Sequence, residues 1–406
     1  MQDSSYSPRK RDGLTYQQRL AADLGHRTWD GAVQVAPGPD YWYVPGEVLL
    51  STAAEDRFHG LLQRFAKPDQ ESNEVMRRGG VDVRRWLLGD HDVPALVATL
   101  QRLADDDPEV SVAPNHVLRG GPKYKGGPAT EPEPVAAMAL GEDRPRTDGA
   151  QIAVLDTGVW AGWTSQLPLR EVVVLGPDDI DVLDADHDGI LDTEAGHGTF
   201  ICGLVAQVAP ALRIDPGRVL DPTGIGTDFS VALELLRTEA PVINLSLGCY
   251  TAEDRAPLAL DGVLGALGPD RVVVAAAGND ATTRPFWPAA FKHVVAVGAL
   301  DTTDPDHPRP AAFSNHGSWV DVWAPGVDLA STYVDGHWRT ADEDAQFAGW
   351  AKWSGTSFAA PLVAAEIARR AVNGSARAAM HDLLAELPVD PVVGLVYSPP
   401  VDVVAR

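Results

Sequence analysis

Five apolar runs beyond residue 150 restrict the fold of the chain more than any other feature. They are QIAVLD (151–156), EVVVLG (171–176), PVINLSLG (241–248), RVVVAAAG (271–278) and HVVAVGAL (293–300), almost unbroken in Val, Ile, Leu and Ala. A strand with one wet face alternates apolar and polar residues, so a run without alternation must be covered on both faces. Helical stretches such as FSVALELLRTEA (229–240) stand between the runs. Strands alternating with helices predict an α/β fold of three layers, a mainly parallel central sheet between two layers of helices. No internal repeat is present.

The first part of the chain reads differently. Residues 1–40 are polar and aperiodic and form an N-terminal arm without assigned function. From 43 to 118 the patterning predicts a small β-α-β-β-α-β unit of ferredoxin-like α+β type: strands at 47–51, 81–88 and 109–118, helices at 53–65 and 93–104. Residues 119–147 are dense in Gly, Pro and charge and read as a flexible linker. The large α/β domain is expected over 148–390, followed by a tail at 391–406.

With 33 Lys and Arg against 57 Asp and Glu, the formal charge is -24. Phosphates would be repelled at long range, which excludes nucleic acid and anionic membranes as expected partners. The first 25 residues hold basic side chains but no apolar run of seven or more, so no secretory signal is read there, and no transmembrane stretch follows. Cys202 and Cys249 are the only cysteines, too few for a disulfide framework. The expectation is a cytoplasmic protein, with export by an unrecognised route left open.

A serine hydroxyl attacks only when a base takes its proton, and a carboxylate must orient and steady that base. Asp156 ends the run QIAVLD at a Thr-Gly turn, where α/β sites gather at the carboxyl edge of the sheet; by itself it could equally cap a helix. His197 sits between two glycines before an apolar helical run. Ser357 follows a Gly-Thr turn at the start of a helix rich in small residues, where the helix dipole favours negative charge; an N-cap serine would look the same. Asn279 ends RVVVAAAGN, placed either as a turn residue or as an amide donor to an oxyanion.

QIAVLDTG, GHGTFICG, VINLSLG, AAAGN, AAFSNHGSWVDVWAPG and SGTSFAAP together resemble the subtilisin-like (subtilase) serine protease family, in the family's order, over roughly residues 148–370. The resemblance implies a subtilisin-like three-layer fold and a serine endopeptidase (a hydrolase) needing no cofactor for chemistry. Asp156 would orient, His197 would serve as base and then acid, Ser357 would attack, and Asn279 with the Ser357 N–H would form the oxyanion hole. It also implies that a peptide or protein substrate binds as an added strand between Gly224-Ile225-Gly226 and Ser246-Leu247-Gly248. Ala276 and Gly278 would leave a roomy, mostly apolar pocket for the residue before the scissile bond, favouring large apolar or aromatic residues. Three departures stand out: Cys249 replaces a common glycine, Phe200 and Cys202 alter the histidine motif, and Phe358 follows the serine where an oxidisable methionine is common.

Between the Asp156 and His197 motifs, DADHDGILDTE carries Asp184, Asp186 and Asp188 at alternate positions before Gly189. That spacing wraps carboxylates round a hard cation and makes calcium the candidate structural ion. Ala195 stands at the twelfth position, where a bidentate Glu is expected, so Asp192 or Glu194 would have to substitute. The unit at 43–118 resembles the family's inhibitory propeptide, through VPGEVLLS, the helix at 93–104 and VSVAPNHVL, which implies an intramolecular partner and self-cleavage within 119–147. Two other uses of the site stay open: a peptide cyclase or dedicated precursor-maturation protease working through the same acyl-enzyme, and a catalytically silent peptide-binding fold.

Overall fold

The computed structural model describes residues 34–38, 40–121, 131–138, 151–165, 179–339, 344–372 and 374–400, with Leu169, Val173, Gly176 and Val403. The N-terminal unit consists of β1 (Trp42–Ser51), α1 (Thr52–Leu62), α2 (Gln70–Arg78), β2 (Val83–Leu87), α3 (Val93–Ala104) and β3 (Val112–Arg119). β1 lies between β2 and β3 and is antiparallel to both. Helix α2 is absent from the sequence reading. It buries only Asn73 and Met76, too thin an apolar stripe for periodicity to find, and an Asp69 cap that accepts from Ser72 N at 3.3 Å starts it.

The larger domain runs β4 (Ile152–Asp156), α4 (His197–Val208), β5 (Ile214–Arg218), β6 (Ile225–Thr227), α5 (Asp228–Arg237), β7 (Val242–Leu245), α6 (Leu258–Ala266), β8 (Val272–Ala276), β9 (Val294–Asp301), β10 (Val322–Pro325), β11 (Leu329–Arg339), β12 (Asp344–Trp353), α7 (Thr356–Ala371), α8 (Ala376–Glu386) and β13 (Gly394–Val396). Its sheet has nine strands, in the order β13-β10-β9-β8-β7-β4-β5, with Val389–Asp390 at one edge and Arg309–Pro310 beside β9. The seven strands of that order are parallel, as the unbroken apolar runs require. The chain leaves β4 for β5 on one side and returns to β7 on the other. The carboxyl ends of β4 and β7 therefore flank the point where strand order reverses, and side chains there face an open crevice.

Two expectations change. Of EVVVLG only Val173 and Gly176 are among the described residues, and Val173 forms an isolated parallel bridge to Ile214; the rest lies outside them. The segment expected as a C-terminal tail contributes β13, whose Leu395 pairs with Val322 at the sheet edge. No helix among the described residues is long and apolar enough to cross a membrane.

The N-terminal sheet is buried on both faces. Val48, Leu50, Phe58, Leu62 and Leu100 pack it against α1 and α3. Leu49, Met76, Val83 and Leu118 join one core with Phe229, Ala232, Leu260 and Val263 of α5 and α6. Polar contacts cross the same junction: Phe229 N donates to Asn115 Oδ1 at 3.1 Å, and the Arg85 guanidinium lies 4.6 Å from the centre of the Phe229 ring.

Candidate active site

Asp156 closes β4 and His197 opens α4, and both side chains are wholly buried. His197 Nδ1 lies 2.7 Å from Asp156 Oδ1, which also accepts from Thr157 N at 2.8 Å. Two glycines make the approach possible. Gly196, at φ +83°, turns the chain into α4, and a Cβ at Gly198 would meet the carbonyl oxygen of Gly158 at 2.2 Å. Asp181 locks the turn by accepting from Gly196 N at 2.7 Å and from Thr157 Oγ1 at 3.2 Å. Neither Asp181 nor Thr157 was found in the sequence, where each looks like any loop residue.

Ser357 lies in the first turn of α7. Its Oγ is 3.4 Å from the carbonyl oxygen of Ser246, and Ser246 Oγ donates to the Ser357 carbonyl at 2.7 Å. Asn279 uses its amide oxygen to accept from Thr356 N and Thr356 Oγ1, at 2.9 and 2.8 Å. That fixes the side chain and leaves its NH₂ group for the cleft. Asn315 holds the strand end beneath, accepting from Asp280 N at 3.0 Å and donating to Ala277 O at 2.8 Å.

An aromatic box encloses the histidine. Trp353 meets the imidazole edge-on at 5.3 Å between centroids and Phe358 tilts against it at the same distance. Phe200 completes the group, 4.6 Å from Phe358. The stretch DEDAQFAGWAKW (342–353) supplies β12 from Asp344 on, and its Trp353 is a core residue beside the His197 ring. Cys202 and Cys249 are buried free thiols whose pKa values burial pushes upward, so both read as core filling rather than reactive groups.

The cleft contains the chain's own backbone. β3 pairs antiparallel with β6, Leu118 opposite Gly226 and Arg119 opposite Ile225. On its other side Arg119 exchanges hydrogen bonds with Gly248, N to O at 2.8 Å and O to N at 2.9 Å, and Gly120 N donates to Gly224 O at 2.9 Å. A Cβ placed on Gly121 would stand 3.6 Å from both Asn279 Nδ2 and Ser357 Oγ, and 3.9 Å from His197 Nε2. The predicted linker start at 119 is thus corrected: β3 runs on to Arg119, paired on both sides, and Gly120 and Gly121 continue it along the cleft, Gly120 held by its bond to Gly224. Residues 122–130 and 139–147 lie outside the described residues.

The pocket beside Ser357 is bounded by Leu247, Ala276, Gly278, Thr356 and Phe286. It encloses only about 20 Å³, against the roomy pocket expected. Phe286 is the reason. Its ring atoms lie 2.3 Å from where a Cβ of Gly248 would be and 3.0 Å from that of Gly278, so the two glycines make space for a phenyl ring rather than for a ligand.

On the acidic loop, one oxygen each of Asp184, Asp186 and Asp188 lies within 4.8 Å of the others. Asp192 accepts from Ala185 N at 2.7 Å, and burial together with these three neighbours pushes its carboxyl up to about 6. Glu194 does not join them. It faces the cleft, with Oε2 4.0 Å from His197 Nε2, which removes it as the replacement twelfth ligand.

A sequence profile of the subtilase family matches residues 147–384. A thermophilic serine proteinase from Bacillus sp. (strain AK1) is 38% identical over 242 residues, covering 56% of this chain and 53% of that one. Thermitase from Thermoactinomyces vulgaris is 35% identical over 229 residues, covering 53% of this chain and 72% of thermitase. The chain thus spans about half the length of the first relative. Fervidolysin from Fervidobacterium pennivorans, a keratinolytic enzyme related to subtilisin, superposes with a TM-score of 0.52 at 20% identity, over 82% of this chain and 55% of that one, a likeness of fold. With a family match across more than half its length and the Asp, His and Ser motifs brought to one crevice, the chain belongs to the subtilase family.

Proposed function

We propose that this chain is a serine endopeptidase acting through an acyl-enzyme on Ser357. The observation that carries the reading is the end of β3, Val117–Arg119, paired in the cleft as a substrate would be, with Gly121 two residues on beside Ser357, His197 and Asn279. In this reading His197 Nε2 takes the proton of Ser357 Oγ as the oxygen adds to the carbonyl carbon. Asp156 steadies the imidazolium. The new oxyanion is held by Asn279 Nδ2 and the Ser357 N–H, aided by the α7 dipole. The same proton then passes to the leaving nitrogen as the C–N bond breaks, and water repeats the sequence in reverse on the ester.

The N-terminal unit acts as an inhibitor joined to the enzyme, supported by its shared core with α5 and α6 and by its strand in the cleft. Processing within 119–147 removes it. The bond after Gly121 joins it to Pro122, whose ring crowds the leaving side and lacks an N–H to hold it there, so self-cleavage there is slow. Wild type, Pro122→Ala and Ser357→Ala purified side by side test both points. A fluorophosphonate is expected to label the first two and not Ser357→Ala. Intact mass should show Pro122→Ala trimmed after Gly121 sooner than wild type, and Ser357→Ala never trimmed. Absence of label in all three leaves a silent peptide-binding fold. Mass analysis of the products distinguishes hydrolysis from the ring closure of a peptide cyclase, and a single cleaved precursor would mark a dedicated maturation protease.

Calcium on the acidic loop belongs to the same proposal. Asp184, Asp186 and Asp188 supply hard oxygen ligands at suitable separations, and crowding of four carboxylates including Asp192 is relieved by a cation. The ion would hold the connection between the Asp156 and His197 motifs. Added calcium at a hundred times its dissociation constant should stabilise by about 2.7 kcal/mol, a rise in Tm of roughly 5 °C or more that chelator reverses. An unchanged Tm under both conditions removes the site.

A further inference from the structure

We infer that the cleft is built to cut after a pair of small residues, glycine above all, and that Phe286 sets this preference; the inference rests on the serine protease reading above. The strand pairing fixes which residue faces which pocket. Arg119 exchanges two hydrogen bonds with Gly248, Gly120 bonds Gly224, and Gly121 is the residue beside Ser357 Oγ. The side chain of the residue before the scissile bond must therefore enter the pocket of about 20 Å³ between Leu247, Ala276 and Gly278. Phe286 fills the far end of that pocket, is 6% exposed, and is backed by Tyr250 at 5.2 Å between ring centroids. Arg284 stacks behind Tyr250 at 4.8 Å, so a displaced Phe286 ring would have to push against this pair. A methyl fits beside Ser357; a leucine or phenylalanine side chain would have to displace a packed ring.

The preceding position is closed as well. A Cβ on Gly120 would come 3.2 Å from Leu220 Cδ1 and 3.4 Å from Glu194 Oε2. Leu220 and Glu194 are both buried, so a larger side chain must push an aliphatic wall aside and lie against a carboxylate. The sequence Leu118-Arg119-Gly120-Gly121 in the cleft is thus the sequence the pockets accept, and the substrate class is a peptide or protein segment with Gly-Gly, or Gly followed by Ala, before the cut.

The test uses the full chain and a mixture of peptides Leu-Arg-Gly-X-Ser-Lys in which X is Gly, Ala, Leu or Phe. Competition in one tube reads ratios of kcat/KM, which occupation of the cleft by the chain's own strand lowers equally for all. Wild type should cut the Gly and Ala peptides at least about tenfold faster than the Phe peptide. Phe286→Gly should reverse that order, and Phe286→Ala serves if the glycine variant does not fold. A merely structural role for Phe286 would lower all four rates together and leave the ratios unchanged, which overturns the inference. A wild-type preference for Leu or Phe overturns it too, as does cleavage of none of the peptides by protein whose Ser357 takes a fluorophosphonate. No cleavage and no label together overturn the protease reading itself.

Discussion

Ser357→Ala is expected to lower kcat for peptide hydrolysis by about 10⁶-fold, the size of loss that removing the nucleophile brings in subtilisin. The structure explains why no neighbour can take over. His197 Nε2 faces the cleft from a ring clamped between Trp353 and Phe358, so it can move a proton at one place only. The neighbouring hydroxyls are engaged: Ser246 Oγ donates to the Ser357 carbonyl at 2.7 Å and Thr356 Oγ1 to Asn279 Oδ1 at 2.8 Å. Removal of Oγ breaks only a 3.4 Å contact to Ser246 O, so Tm should shift by less than about 1 °C, within the range of a change away from stabilising features. The measurements are steady-state hydrolysis and a thermal melt on the same preparation. A residual rate within about tenfold of wild type would place the nucleophile elsewhere.

Asn279→Ala is expected to cost about 10²- to 10³-fold in kcat with KM changed little, a magnitude again borrowed from subtilisin. The argument is geometric. Asn279 Oδ1 accepts two hydrogen bonds from Thr356, so the amide is oriented before substrate arrives and its NH₂ group strengthens as charge develops on the carbonyl oxygen. The same substitution removes the acceptor for Thr356 N at the start of α7, a loss of about 1 kcal/mol that should appear as a lower Tm. Asn279→Asp separates the two effects. The carboxylate keeps an acceptor for Thr356 but sets a negative charge against the oxyanion, so the melt should recover while kcat stays low. Equal kcat for Asn279→Ala and wild type would remove the amide from the reaction.

Some of this architecture was legible because it is written in local chemistry. Unbroken Val and Ile runs report burial on both faces of a sheet without reference to anything distant, and the helix at 93–104 is bounded by its Asp92 cap and proline just where periodicity puts it. The Asp, His, Ser and Asn motifs are short, each set by a strand end or a helix start, and their order along the chain is enough to bring the resemblance out. Helix α2 and strand β13 escaped because one has too little apolar face and the other is a short edge strand whose partner lies 73 residues earlier (Leu395 against Val322).

The remaining features depend on what meets what. Nothing around Phe286 in the sequence distinguishes a pocket floor from a core residue; only its fold back onto Gly278 of its own connection and the approach of Gly248 from beyond β7 make it one. Glu194 reads as a candidate calcium ligand until the fold turns it from the acidic loop toward His197 and Gly120. Residues 119–121 read as linker by composition, and lie along the cleft only because two edges of the larger domain offer Arg119 and Gly120 hydrogen bonds. The sequence by itself determined the fold class and the family, since each rests on patterns within a few residues. Tertiary structure alone decided the size of the pocket beside Ser357 and the occupant of the cleft, because the first needs Gly248 against Phe286, 38 residues on, and the second Arg119 and Gly120 against Gly248 and Gly224, more than 100 residues on, which no local pattern encodes.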